Sequence, residues 1–187
     1  MNLKNNSGFT LVELLIVAIM LAILAAIVVP QFSSTTSEGE EAALKADLAG
    51  IRSALELYRQ QHGSYPGIVA STGGTCTGGN KGTGSANTVQ AMVDQLTLYT
   101  DAAGNACDLP VGSDFPYGPY LSDQDLPANP VTDNADVVYV APADNSAGSL
   151  SMTGDAAGLG WKYDPTSGRF IANDTNNDSV GVPYDSY

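Results

Sequence analysis

Few residues in this chain are equipped for chemistry, and they lie far apart along it. Asp174, Asn176 and Asp178 take alternate positions in "NDTNNDSVGVPYDSY". Oxygen donors at 1-3-5 spacing can converge on a calcium ion as the backbone curls. The full helix–loop–helix calcium pattern is missing, because no glycine holds the sixth place and no glutamate the twelfth. A solvated Asn/Asp-rich turn is the other reading, and Asp133 with Asp136 offers an alternative set. Cys76 and Cys107 are the only cysteines, and they do not form a CxxC pair. That spacing points away from redox catalysis and haem attachment, and towards a structural disulfide in an extracytoplasmic domain. His62 is the single histidine, so no Ser/His/Asp set stands out for a tethered enzyme. The fourth feature is a lone acid, Glu13, inside an apolar run.

That run reads "SGFTLVELLIVAIMLAILAAIVVPQF". From Phe9 to Val29 it would be roughly 30 Å long as a helix, enough for a hydrocarbon core. A carboxylate at that depth costs about 2.5–3.5 kcal/mol on insertion scales, so it should have a partner or a role. A secretory signal places its small residue after the apolar core, whereas Gly8 precedes it. A cut after Gly8 would keep the segment and expose the α-amino group of Phe9. That amine could pair with Glu13 within one helix, or with Glu13 of a staggered neighbour. Lys4 before the run and acids after it put the N-terminus inside and the bulk outside. An uncleaved signal anchor is the plain alternative.

The segment "G-FTLVELLIVAIMLAILAAIVVPQF" resembles the prepilin signal of the type IV filament family, which includes pilins and pseudopilins. The resemblance implies cleavage between Gly8 and Phe9 by a membrane-embedded prepilin peptidase, then N-methylation of Phe9. It implies Glu13-guided packing of helices into a filament core, with Pro30 closing the span. Residues 1–8 would be the leader, 9–29 the membrane and core helix, and 30–187 the extracytoplasmic domain. The expected partners are further copies of the chain, an inner-membrane assembly platform, and minor pilins or pseudopilins. The expected location is the inner membrane before assembly, then a periplasmic pseudopilus or a surface pilus.

The positioning elements follow from periodicity. Leu44, Leu48, Ile51, Leu55 and Tyr58 recur at steps of four and three, which predicts an amphipathic helix over 30–62. Gly63 and Pro66 should stop it near His62, whose cation would suit the end of the helix dipole. Pro30 should kink or loosen the junction, and Gly39 could act similarly. Residues 71–88 are too rich in Gly, Thr and Ser for a regular element. "VQAMVDQLTLYTD" predicts a short helix running into a strand, "DVVYVA" a strand, and "GWKYDPTSGRFIAND" a hairpin. The fold class expected is α+β, a long N-terminal helix packed on a small antiparallel sheet. "LELYRQQHGSYPG", "YGPYLSDQDLPANP" and the hairpin are similar to segments of major pseudopilins, whose C-terminal loops hold calcium; the resemblance makes calcium a candidate cofactor, while the solvated turn remains the leading reading of the tail. Residues 67–112 read as an insertion.

A formal charge of −13 with only seven Lys and Arg disfavours nucleic acid as a general partner. The leading expectation is a filament subunit, pseudopilus-like, for protein secretion. Its rivals are the major pilin of a surface pilus for adhesion, motility or DNA uptake, and a non-polymerising, membrane-anchored binding module.

Overall fold

A computed structural model describes residues 9–110, 112, 114–122, 125–140, 152–156 and 158–187, without the side chains of 27–35. The chain divides into two units, Met1–Gly39 and Glu40–Tyr187. Helix α1, Leu11–His62, contributes to both. Pro30 falls within α1, but its side chain is outside the described set, and the expected kink stays an expectation. Gly8 lies outside the described residues altogether.

In the second unit the predicted stripe is the core. Leu44, Leu48, Ile51, Leu55 and Tyr58 are all buried, together with Trp161, Tyr163, Phe170 and Ala172 from the sheet. Burying each large apolar side chain contributes about 1.5–3 kcal/mol, so the stripe is a main reason this part of α1 stays docked. The helix ends at His62, and Gly63 follows with a φ of +76°, which a residue without Cβ adopts freely.

Helix α2, Val89–Thr97, starts at Thr88, whose Oγ1 accepts the Ala91 N–H at 3.2 Å. It leads into β1, Tyr99–Thr100, which pairs antiparallel with β2, Ala106–Cys107. A second sheet joins β3, Val137–Tyr139, β4, Trp161–Asp164, and β5, Arg169–Ala172, in the order β3-β4-β5. The hairpin β4–β5 is antiparallel with Trp161 opposite Ala172, as the pattern predicts. Its turn needs Gly168, where a Cβ would stand 2.0 Å from the Tyr65 ring at a φ of +75°. One expectation requires correction: β3 pairs with β4 in parallel, so this sheet is mixed. The stretch between Tyr139 and Trp161 exceeds the dozen or so residues that a parallel crossover requires.

Candidate functional site

Between Leu11 and Ala26, α1 presents apolar side chains on every side. Phe9 and Leu11 are each 82% exposed, and Leu14, Ile16, Val17, Met20 and Leu24 are exposed too. A helix apolar all round belongs in a core or a membrane rather than in water. Among the described residues, however, no helix is long and apolar enough to cross a membrane. The expected span 9–29 runs into 27–35, whose side chains are not described.

Glu13 has a local occupation. Its Oε2 accepts the Thr10 N–H at 2.8 Å and the Thr10 hydroxyl at 2.9 Å, while Thr10 Oγ1 accepts the Glu13 N–H at 3.2 Å. With Leu11 as the first helical residue, this is a reciprocal capping box. The signal was in plain view as "TLVE", Thr10 three residues before Glu13, and sequence reasoning passed over it. The intact chain has no amine at Phe9, so the arrangement leaves the Phe9–Glu13 pairing as an expectation.

The C-terminal acids are brought together differently from a metal cradle. Asp178 Oδ1 accepts the N–H groups of Val180 at 2.9 Å and Val182 at 2.7 Å, and Oδ2 accepts the Tyr187 hydroxyl. Asp174, buried, turns one oxygen onto the Asn176 N–H at 2.8 Å. Both Asp178 oxygens and one Asp174 oxygen thus serve protein donors, and calcium at Asp174, Asn176 and Asp178 stays an expectation. The Tyr187 hydroxyl, followed by the backbone donors of Val182 and Val180, holds the Asp178 carboxyl below its ordinary range. Asp133 and Asp136 gain no shared focus, and Asn134 Oδ1 accepts the Asp136 N–H. Among the described residues the one converging group of ligand types is Cys76, Cys107 and Asp108. Its sulfurs are already joined: Cys76 and Cys107 form the expected disulfide, with Cα atoms 5.5 Å apart.

The tail is instead stapled to α1. Glu41 accepts the Ser179 N–H at 2.8 Å and its hydroxyl at 3.2 Å. The Lys45 ammonium sits 4.3 Å above the Tyr187 ring, and Arg52 donates to the Tyr187 backbone oxygen at 2.5 Å. His62 is likewise structural: its ring stacks on Tyr58 at 3.9 Å, with Nδ1 3.0 Å from the Tyr58 carbonyl oxygen and Nε2 3.0 Å from that of Asp101.

Comparison with known proteins follows the same division of the chain. Residues 3–29 match the family model for the prokaryotic N-terminal methylation motif. The type II secretion system core protein G of Pseudomonas aeruginosa is 39% identical over 66 residues, 35% of this chain and 46% of that protein. Its counterpart in Aeromonas hydrophila is 32% identical over the same shares. The chain thus spans just under half the length of these relatives. The type IV narrow pilus major component PilA5 of Thermus thermophilus is 37% identical over 98 residues, 49% of this chain and 84% of that protein. The chain belongs to the type IV pilin and pseudopilin family. No solved structure matches this pilin-family chain. In this member, residues 67–112 carry the disulfide and α2. That region is clamped by a buried acid which sequence reasoning missed: Asp94 accepts from the Ser71 hydroxyl at 2.5 Å, the Thr83 N–H at 2.6 Å, the Gly84 N–H at 2.9 Å and the Gln90 amide at 2.7 Å.

Proposed function

We propose that the chain is a structural subunit of a type IV filament, made as a prepilin and polymerised into a helical fibre. The observation that carries this reading is the exposed apolar surface of α1 from Leu11 to Ala26, broken only at Glu13. So much exposed hydrocarbon needs either lipid or other copies of itself, and one acid in it gives neighbouring helices a register. Under this proposal the prepilin peptidase cuts after Gly8, Phe9 is N-methylated, and Glu13 of one copy neutralises the Phe9 amine of another. The role is structural rather than enzymatic. Before assembly the subunit stands in the inner membrane, with an assembly platform and minor pilins or pseudopilins as partners.

Two settings compete. The helix-region likeness to type II secretion core proteins supports a pseudopilus. The longer match to a pilus component, covering 84% of that protein, supports a surface pilus. Glu13→Ala tests what the two share. The expected result is a correctly cut N-terminus by mass spectrometry together with loss of sheared polymer. Polymer at wild-type level would refute the assembly role of Glu13. Deletion of the gene then separates the settings: a pseudopilus subunit stops export of secreted proteins, and a pilus subunit strips fibres from the surface.

A further inference from the structure

The two halves of the disulfide are buried unequally. Cys107, in β2, is fully buried, whereas Cys76, in the Gly-rich loop, is half-buried. A thiol exchanges with a disulfide by in-line attack on one of its two sulfurs, so access decides which sulfur is struck. Cys107 offers no surface from which that approach could start, and Cys76 does. An oxygen of the exposed Asp108 carboxylate lies within 4.8 Å of both sulfurs, so its charge does not distinguish them. Burial does.

Hydrogen bonds also hold the loop against β2 independently of the covalent bond. Asp108 accepts the Asn80 N–H and the Asn80 side-chain amide, each at 2.7 Å, and the Asp108 N–H returns to the Asn80 carbonyl oxygen at 3.0 Å. The Gly82 N–H donates to the Ala106 carbonyl oxygen at 2.9 Å. Gly79 permits so close an approach: a Cβ there would stand 2.3 Å from Asp108 Oδ1 and 3.0 Å from Cys76 Sγ. Cys76 Sγ lies 3.4 Å from the Asn80 carbonyl oxygen. A disulfide sulfur has no hydrogen to donate to that acceptor, but a thiol has. A reduced Cys76 therefore finds its partner already in place, with Cys107 still beside it.

We propose that Cys76 is a thiol–disulfide exchange site, the sulfur at which an external thiol opens the bridge and an external disulfide closes it, with Cys107 as the resolving sulfur. On opening, an incoming thiolate bonds to Cys76 Sγ as the Cys76–Cys107 bond breaks, and the electron pair leaves on Cys107. A second external thiolate then displaces the Cys76 thiolate. Two external thiols are thereby oxidised to one disulfide as the two cysteines are reduced. Closing follows the same path backwards: the Cys76 thiolate takes one sulfur of an external disulfide, and the Cys107 thiolate expels it as a thiol. Asn80 and Asp108 are positioning residues, keeping the resolving step within the chain. This inference goes beyond the filament reading and does not depend on it.

The test uses the full wild-type chain in detergent micelles with its bridge intact. One arm receives reduced glutathione, the other a thioredoxin-type CxxC protein stripped of its second cysteine so that a mixed disulfide accumulates. Early samples are trapped with N-ethylmaleimide and mapped by peptide mass spectrometry. The expected product carries the external thiol on Cys76 and the maleimide on Cys107, outnumbering the reverse pattern about tenfold or more. In denaturant the two patterns should become nearly equal, because nothing then shields Cys107. Attack at Cys76 in one arm alone still supports the proposal and shows whether a small thiol or a protein serves the site. Equal attack on the two sulfurs of the native chain, attack mainly at Cys107, or no adduct in either arm would overturn it and leave the filament reading untouched.

Discussion

Asp94 offers the sharpest test of how the region 67–112 is held. Its carboxylate is buried and receives four donors, two of them the backbone N–H groups of Thr83 and Gly84. Hydrogen bonds to a charged group are worth about 1.5–3 kcal/mol each, but they do not add. Asp94→Ala does not orphan every donor. Thr83 and Gln90 are exposed and can turn to water, and Gly84 N–H keeps the Ser71 hydroxyl at 2.8 Å. The net loss should therefore be about 3 kcal/mol rather than the sum of four bonds. For a unit of this size that corresponds to about 6–12 °C in Tm. The full chain in detergent micelles, melted by circular dichroism, reads the shift, and hydrogen exchange reads its location. The amides of Thr83 and Gly84 should lose protection well before those of β4 and β5. Asp94→Asn, which keeps one carbonyl acceptor, should fall between. A melt of Asp94→Ala within about 1 °C of wild type, with the Gly84 amide still protected, would refute the clamp.

The C-terminal loop supplies two further predictions. The Asp178 carboxyl is held below its ordinary range by the Tyr187 hydroxyl and backbone donors, so its contribution to stability is present above the unfolded value and fades as pH falls below about 4. Tyr187→Phe should raise the Asp178 midpoint in an NMR titration, and an unmoved midpoint would show that the hydroxyl is not the cause. Because Asp178 is satisfied by protein donors, melting with a chelator should match melting with added calcium. A calcium-dependent rise in Tm that Asp178→Asn abolishes would restore the metal reading.

The elements that the sequence made legible are those whose information is local. The stripe from Leu44 to Tyr58, the α2-to-β1 passage and the β4–β5 hairpin all carry a period or a turn within fifteen residues, and the structure places each where the pattern puts it. The disulfide was legible because two cysteines leave one pairing. What stayed hidden depends on contacts far apart in the chain. Nothing near Val137 says that its strand will run parallel to Trp161, since direction is decided by the crossover between them. The Asp94 clamp joins residues from 71 to 94 through backbone groups, which have no sequence signature. The acidic tail was ambiguous for a related reason: alternating Asp and Asn serve a calcium ion or an N–H-capped turn equally well. Tyr187, the residue that caps Asp178 in the structure, lies nine positions further on, with its ring under Lys45 and its hydroxyl on Asp178.

Glu13 shows why a residue can be legible in type and still ambiguous in role. In the intact chain its carboxylate is satisfied by Thr10, which would suffice to explain a single acid at the start of any helix. A helix cap, however, works equally well in water and needs no apolar surroundings. The surface from Leu11 to Leu24 is apolar on all sides, and a cap alone gives no reason to bury an acid there. Under the proposed processing, the new charge at Phe9 arises one residue before Thr10. The carboxylate then stands between two donor sets, its own cap and an amine. A neutral threonine is the weaker partner in a medium of low dielectric constant, so a neighbour's amine can draw the carboxylate away. By this argument Thr10→Val should loosen the first turn of α1 yet leave polymer assembly intact, whereas Glu13→Ala removes both. Equal assembly defects in the two variants would mean that the cap, and not the carboxylate's charge, is what the filament requires.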